Sequence, residues 1–425
     1  MVAEGYKQTE VGVIPEDWGV QSLGEIAQIS AGGTPSRSQQ DYWSGSIPWI
    51  TTTEISGSNI TKATQYITKK GLDNSAAKYL PIGTLLLALY GQGQTRGRVG
   101  MLCLDATTNQ ACAAIQVDKK CSKKFIFHYL SYQYLAIREM SNSGSQDNLN
   151  SSIVRSIKIP LPPSLAEQEA IAGALSDADG LIESLEQLIE KKRQIKQGAM
   201  QELLSPWEPE SQSPETNPAP TSTTPNPPSK KLKQGWIEKT LSEIAQVSTG
   251  STPSTVDASY YNGDYLFVSP SDMGNTKWIV ETDKTLTKKG FAVSRKFRKG
   301  STLFVCIGST IGKCAIAGVD LTSNQQINAV MPILEVSDEY VYYALCMESK
   351  KIKEQAGEQA VPMVNKSQFA DSIIYLPILE EQIYIASILS NMDTEIATLE
   401  AKLSKAKQIK QGMMQELLTG KTRLI

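Results

Sequence analysis

An eleven-residue stretch, QIKQGAMQELL from Gln194 to Leu204, returns as QIKQGMMQELL from Gln408 to Leu418 with ten positions identical. A second echo runs without a gap between Trp18–Ser36 and Trp236–Ser254, with eleven identities in nineteen positions. The chain of 425 residues is therefore one unit of roughly 210 residues written twice, and such a repeat has to be read before any local motif. Each copy is a globular segment followed by a long helical segment. Two such copies predict a pseudo-twofold molecule suited to a two-part target.

The long segments span about Leu165–Leu204 and Glu380–Thr419, where proline is absent and apolar residues fall at heptad spacing. Leu175, Ala178, Ile182, Leu185 and Ile189 mark the first seam; Leu389, Met392, Ile396, Leu399, Leu403 and Ala406 mark the second. A narrow seam of this kind wants a partner helix. At 1.5 Å per residue each helix reaches about 60 Å, longer than a typical domain is wide. The economical expectation is that the two helices pair with each other, antiparallel, as a coiled coil; the alternative is a seam packed onto its own globular unit. Between the first helix and the second globular segment, Pro206–Ser229 carries eight of the twenty prolines and no Lys or Arg, the composition of an extended hydrated spacer.

Each globular segment reads as mixed strand and helix, an α+β fold. Strands are expected at Ile47–Thr51 and Tyr265–Val268, and at Thr84–Leu89 and Thr302–Ile307, the last two preceded by turns at Gly83 and Gly300. Helices are expected over Lys123–Met140 and Glu339–Glu354, with Ser122 and Ser337 as N-caps. The order of strands does not follow from the sequence.

The net charge of −2 hides a partition. Residues 1–160 carry 15 basic against 12 acidic groups and residues 230–375 carry 17 against 15, whereas residues 161–229 carry 4 against 11. Both globular segments are thus mildly basic. Lys284, Lys288, Lys289, Arg295, Lys296, Arg298 and Lys299 cluster, and the tetrapeptide TKKG occurs at Thr68–Gly71 and Thr287–Gly290. That repetition favours a phosphate-facing surface, where cations gain from counterion release. No apolar run reaches the ~18–20 residues of a membrane span, and MVAEGYKQTEVG lacks a signal pattern, so a cytoplasmic protein is expected. Six cysteines without a C-x-x-C pair, and a single histidine, read as buried thiols and make a zinc site improbable.

Three segments imitate catalytic motifs. Asn226-Pro227-Pro228-Ser229 lacks the aromatic residue with which amino-methyltransferases stack a flipped base, and lies in the spacer. Gly308–Cys314, GSTIGKC, has three residues between its glycines and no Ser or Thr after Lys313, so it is not a P-loop. It and its counterpart Gly91–Arg98, GQGQTRGR, are better read as hairpin turns. His128, among Phe127, Tyr129 and Leu130, is expected to be a satisfied, partly buried residue, with no catalytic constellation around it.

A reader of bases needs amides, guanidinium groups and hydroxyls on loops. Candidates are Thr34, Ser36, Arg37, Gln92, Gln94, Arg96 and Arg98 in the first copy, and Thr252, Ser254, Ser309, Thr310 and Lys313 in the second, with Lys288 and Lys289 from the basic cluster. The pair Asn109-Gln110 recurs as Asn324-Gln325, which favours a shared structural turn, because base readers should differ between halves.

With these features assembled, the chain resembles the specificity subunits of type I restriction–modification systems over nearly its whole length. The opening YKQTEVGVIPEDW, the GGTPS and GSTPS loops, the helix entries LPPSLAEQ and LPILEEQ, and the closing QGMMQELLTGKTRL carry the likeness. The first helix departs from it, running from QELLSPWEP into the proline spacer. The resemblance implies target-recognition domains at 1–163 and 230–378, a central helix at 164–205, the linker 206–229 and a C-terminal helix at 379–425. Each domain would read one half of a bipartite double-stranded DNA site. The helices would set the spacing and dock two methyltransferase subunits, with Gln194, Lys196, Gln197, Gln408, Lys410 and Gln411 as candidate contacts. A translocating endonuclease subunit would join that core. S-adenosylmethionine, Mg and ATP would belong to the partner subunits, with no cofactor and no catalytic residue in this chain. Two rivals remain: the specificity subunit of a fused methyltransferase–nuclease, and a coiled-coil protein-binding scaffold.

Overall fold

The computed structural model describes residues 4–91, 93–141, 148–208, 231–274, 276–333, 335–357 and 361–424. Most of the proline spacer, including Asn226–Ser229, lies outside them, as does Gln92. The chain divides into two compact units that do not follow chain order. Unit 1 comprises Met1–Gln187 with Glu400–Ile425, and unit 2 comprises Leu188–Leu399. Among the described residues no helix is long and apolar enough to cross a membrane.

Unit 1 is built on a five-stranded sheet in the order Ala27–Ala31, Cys112–Val117, Leu85–Ala88, Val99–Leu102, Asn59–Ile60. Its central strand, LLLA, is buried at all four positions. A continuous apolar run suits a strand covered on both faces. Leu85 and Leu87 join the core of Phe125, Leu130 and Ile115, while Leu86 and Ala88 join a second core with Ile50, Ile60 and Ala114. That alternation is the two-residue period of a strand, and each buried Leu contributes on the order of 1.5–3 kcal/mol. Gly83 takes φ +87°, the left-handed turn expected before this strand.

Unit 2 repeats the plan: Ala245–Thr249, Ile327–Pro332, Thr302–Val305, Cys314–Ala317, Trp278–Ile279. In each unit a smaller sheet forms around a long strand, Trp43–Ile50 or Tyr261–Val268. Both long strands carry a bulge at the same place, where Ser44 and Asn262 adopt φ near +60°.

The helix expected over Lys123–Met140 is two helices, Lys123–Tyr132 and Tyr134–Glu139, interrupted at Gln133, where ψ is +10°. Its counterpart Asp338–Glu354 is unbroken. Ser122 and Ser337 cap these helices, accepting from the backbone N–H of Phe125 and Tyr340.

The long helices span Leu165–Leu203 and Leu379–Leu417. A buried glutamine fixes the entry of each. Gln168 accepts from the Ser122 N–H and donates to the Pro162 carbonyl; Gln382 does the same with Ser337 and Pro377. The glutamine of LPPSLAEQ and LPILEEQ is thus a clamp that satisfies buried polar groups while tying helix to globular segment. Within unit 1, Lys407 pairs with Glu186 at 2.7 Å and Lys410 with Asp179 at 2.5 Å. Within unit 2, Lys192 pairs with Glu395 at 2.7 Å and Lys196 with Asp393. In each unit rising numbers on one helix meet falling numbers on the other.

Candidate nucleic-acid interface

The GxTPS loops are held by one set of bonds used twice. Thr34 donates to Gln110 Oε1 at 2.5 Å, and Thr252 to Gln325 Oε1 at 2.6 Å. Asn109 and Asn324 each accept from the backbone N–H two residues on, closing the turn that presents the glutamine. Gly32 and Gly250 lie so close to the carbonyls of Thr108 and Asn324 that a Cβ would overlap them. The Asn-Gln repeat is therefore structural, and Thr34 and Thr252 belong to the loop's foot. Higher on the loop, Ser36 is exposed, its hydroxyl 2.9 Å from that of Ser38, and Ser254 is exposed in unit 2. Arg37 lies with its guanidinium carbon 3.8 Å from the Trp43 ring centroid and 5.1 Å from that of Trp49.

The two glycine-rich segments are hairpin loops, joining Leu85–Ala88 to Val99–Leu102 and Thr302–Val305 to Cys314–Ala317. Gly93, Gly97, Gly308 and Gly312 take positive φ there. Arg98 donates to Gln94 Oε1 at 3.0 Å and to the Ser56 carbonyl at 3.3 Å, and Tyr134 donates to the Gln94 carbonyl. Lys313 donates to the carbonyls of Met273 at 2.8 Å and Pro270 at 3.3 Å. Both cations tie a hairpin to the segment that follows the long strand. Arg96 and Thr310 are half-buried and Ser309 is exposed.

TKKG repeats for reasons internal to the fold. Thr68 and Thr287 cap short helices by accepting from the N–H of Gly71 and Gly290. Each threonine also donates to a carbonyl, of Asp41 or Ser259. Lys70 pairs with Asp41, and Lys289 with Asp257 at 3.4 Å. Its recurrence no longer argues for phosphate. Lys288 is exposed. Within the basic cluster, Arg295 donates to the Thr249 carbonyl and Arg298 forms a two-bonded pair with Asp338.

On the long helices Gln194, Gln197, Gln408 and Gln411 are exposed, whereas Lys196 and Lys410 are half-buried in their ion pairs. Those pairs belong to two corresponding clusters. In unit 1 His128 Nε2 lies 3.1 Å from Ser176 Oγ, and Asp179 bridges to Lys410. In unit 2 Tyr343 donates to Asp393 at 2.6 Å and lies 3.2 Å from Ser390 Oγ, with Asp393 bridging to Lys196. Lys277, joined to Glu339, Tyr343 and Ser390, completes the second cluster. His128 is more deeply buried than its sequence suggests, at 2% exposure, and its Nδ1 has no hydrogen bond among the described residues. Burial pushes its pKa down to about 4; Asp179 and the Ala172 backbone pull upward, and Lys410 and Lys124 push down.

The closing segment supplied a site that sequence reading did not assign. Arg423 donates to both oxygens of Asp17 at 2.9 Å and to both oxygens of Glu167, a carboxylate only 4% exposed. Among the described residues no group of three or more His, Cys, Asp or Glu is placed to hold a metal ion.

Comparison with known proteins gives this geometry its context. The specificity subunit of type I restriction enzyme MjaIX from Methanocaldococcus jannaschii is 23% identical over 439 residues, covering 99% of this chain and 96% of that one. The EcoR124I/EcoR124II specificity subunit of Escherichia coli is 26% identical over 198 residues, covering 45% of this chain and 46% of that one. In fold, the S subunit of a type I restriction–modification system from M. genitalium matches with a TM-score of 0.62 at 16% identity, over 94% of this chain and 96% of that one. A chain solved in work on assembly and conformational transition of the type I system matches at 0.54 with 16% identity, over 96% and 99%. The family model of the type I restriction modification DNA specificity domain matches twice, over residues 15–195 and 233–408, once for each copy of the internal repeat. The chain belongs to the type I restriction modification DNA specificity family.

Proposed function

We propose that this chain is the non-catalytic DNA-reading subunit of a type I restriction–modification complex, in which each globular segment reads one half of a bipartite duplex site. The observation that carries the proposal is a loop frame built twice from the same bonds, Thr34 to Gln110 and Thr252 to Gln325, beneath loops of different sequence. One scaffold with two sets of presented groups suits two different half-sites.

The two long helices act as a spacer, paired antiparallel as a coiled coil. The ion pairs support this, as does the burial of Ile189, Ile396, Leu399 and Ala406 along the heptad seams. Their outer faces dock two methyltransferase subunits, and an endonuclease/translocase subunit joins that core. S-adenosylmethionine, Mg and ATP chemistry resides in those partners, in the cytoplasm. Support for docking comes from Ile195 and Ile409, equivalent residues of the repeated QIKQG that are 46% and 51% exposed.

The test is the spacer. Inserting four residues into the first long helix near Ser184 advances everything beyond it by about 6 Å and rotates it by about 40°. Co-expressed with its methyltransferase, the insertion protein should prefer a different spacer length on a random-site library, with both half-sites unchanged. An unaltered spacer preference refutes the helix ruler.

A further inference from the structure

When the two GxTPS loops are aligned, their feet agree and their crests do not. Gly32, Thr34, Pro35 and Ser36 match Gly250, Thr252, Pro253 and Ser254; then Arg37-Ser38 stands against Thr255-Val256. The feet share the threonine–glutamine bond and the tightly packed glycine. A strand aromatic ties the loop back in both units: Trp43 Nε1 donates to the Ser36 carbonyl at 3.1 Å, and Tyr261 donates to the Pro253 carbonyl at 2.8 Å. Different chemistry is therefore displayed at a constant place.

In unit 1 that chemistry is a preorganised guanidinium. Arg37 is exposed and stacked on Trp43, which packs edge to face on buried Trp49 with centroids 5.1 Å apart. Trp49 is itself pinned by a bond from its Nε1 to the Gly33 carbonyl. Arg98, Arg138, Arg155, Arg295, Arg298 and Arg423 all direct N–H groups to atoms of the chain. The N–H groups of Arg37 make no hydrogen bond or ion pair among the described residues. Stacking occupies the face of the guanidinium and leaves its edge, the planar donor fork, open. That fork fits the O6 and N7 acceptors of guanine in the major groove. In unit 2 the shelf becomes Tyr261 and Phe267, the cation is gone, and Val256 stands 93% exposed. Its methyl groups have one complement among base edges, the C5-methyl of thymine.

We propose that the crest of each GxTPS loop reads a base: Arg37 a guanine in one half-site, and Val256 a thymine methyl in the other. This rests on the DNA-reading role proposed above. The test is methylation by the complex with its methyltransferase partner on a random-site library, comparing wild type with Arg37→Ala, with Arg37→Thr combined with Ser38→Val, and with Val256→Ala. The double variant installs the crest that the same loop carries in unit 2, so it guards against a folding artefact. In both Arg37 variants a single G·C position should lose roughly 5- to 150-fold of its discrimination, in one half only. Val256→Ala should relax a single A·T position in the other half. A wild-type motif retained at every position by both Arg37 variants, or by Val256→Ala, overturns the inference alone. A wild-type complex that methylates no two-part motif overturns the DNA-reading role, and the inference with it.

Discussion

Acidification should destabilise unit 1 through a single proton, and the chain's one histidine makes this separable from everything else. His128 is buried with its Nδ1 unbonded, and burial holds its pKa down to about 4, against about 6.5 when exposed in the unfolded chain. Between those values the unfolded chain takes up a proton that the folded chain refuses, so stability rises with pH across the window. The contribution is fully present above pH 6.5 and is lost as pH falls toward 4. The shift corresponds to about 3 kcal/mol in total, of which about 2 kcal/mol disappears between pH 7.5 and 5. Asp179, 3.8 Å from Nδ1, opposes the effect, but it already bridges to Lys410, whose charge reinforces burial. Carboxylates titrate near the lower end too, so the readout is a difference. Wild type and His128→Gln are compared by urea unfolding at pH 7.5, 6 and 5, with hydrogen exchange of Phe125–Leu130 isolating unit 1. The wild type should lose about 2 kcal/mol more than the variant on going to pH 5. In carbon-13 histidine-labelled protein the lone imidazole resonance should remain neutral at pH 5. Equal losses in the two proteins, or an imidazole midpoint near 6.5, refute the reasoning.

Arg423→Ala leaves the buried Glu167 without its cation and should lower unit 1 stability by about 2 kcal/mol, with Arg423→Lys losing less; urea midpoints decide it. Gly250→Ala places a Cβ against the Asn324 carbonyl, a backbone atom that cannot swing away, and should cost on the order of 1–3 kcal/mol and lower Tm. A double-mutant cycle of Thr34→Val and Gln110→Ala should return a coupling of about 0.5–1 kcal/mol, and additive losses would show that the bond does not hold the loop. Arg98→Ala frees Gln94 and the Ser56 carbonyl, so it should raise hydrogen exchange across the Gly91–Arg98 loop, and unchanged exchange would contradict its tethering role.

What could be read from the sequence was local or repeated. The long helices ended within one or two residues of the limits read from the heptads, although the helix given as 379–425 stops at Leu417, and the serine caps and glycine turns stood where side-chain chemistry requires them. The break at Gln133 was not legible, because YLSYQYLAIREM contains no glycine or proline to announce it. The small sheets escaped as well, since the parallel pairing of Thr107–Thr108 with Trp49–Ile50 joins residues far apart in the chain. Arg423 with Glu167 escaped for the same reason. Lys313 and Arg98 were legible as cations but not as cations turned onto backbone carbonyls, nor were Lys70 and Lys289 legible as partners of surface carboxylates. Composition reports charge, and only packing reports its partner.

Duplication supplies a control that a single-copy chain lacks. Where both copies keep a residue and the fold uses it, as with Gln168 and Gln382, folding accounts for the repetition. Where the copies differ at a buried place, as at His128 and Tyr343, the rings meet the same serine and aspartate differently, His128 bonding the serine and Tyr343 the aspartate as well, and divergence alone carries no function. The informative positions are the exposed ones. Ile195 and Ile409 are kept in both copies though each is about half exposed, at 46% and 51%, which is what the docking surface proposed above requires. Arg37 and Thr255, with Ser38 and Val256, differ on an unchanging frame, as the two different half-sites proposed above require. Exchanging the crest residues between copies should therefore alter which bases are methylated and leave assembly intact, whereas Ile195→Asp with Ile409→Asp should abolish assembly and leave binding of the bare duplex unchanged. If the crest exchange disrupted assembly, or the helix variants altered base preference, exposure and repetition would not separate the two surfaces.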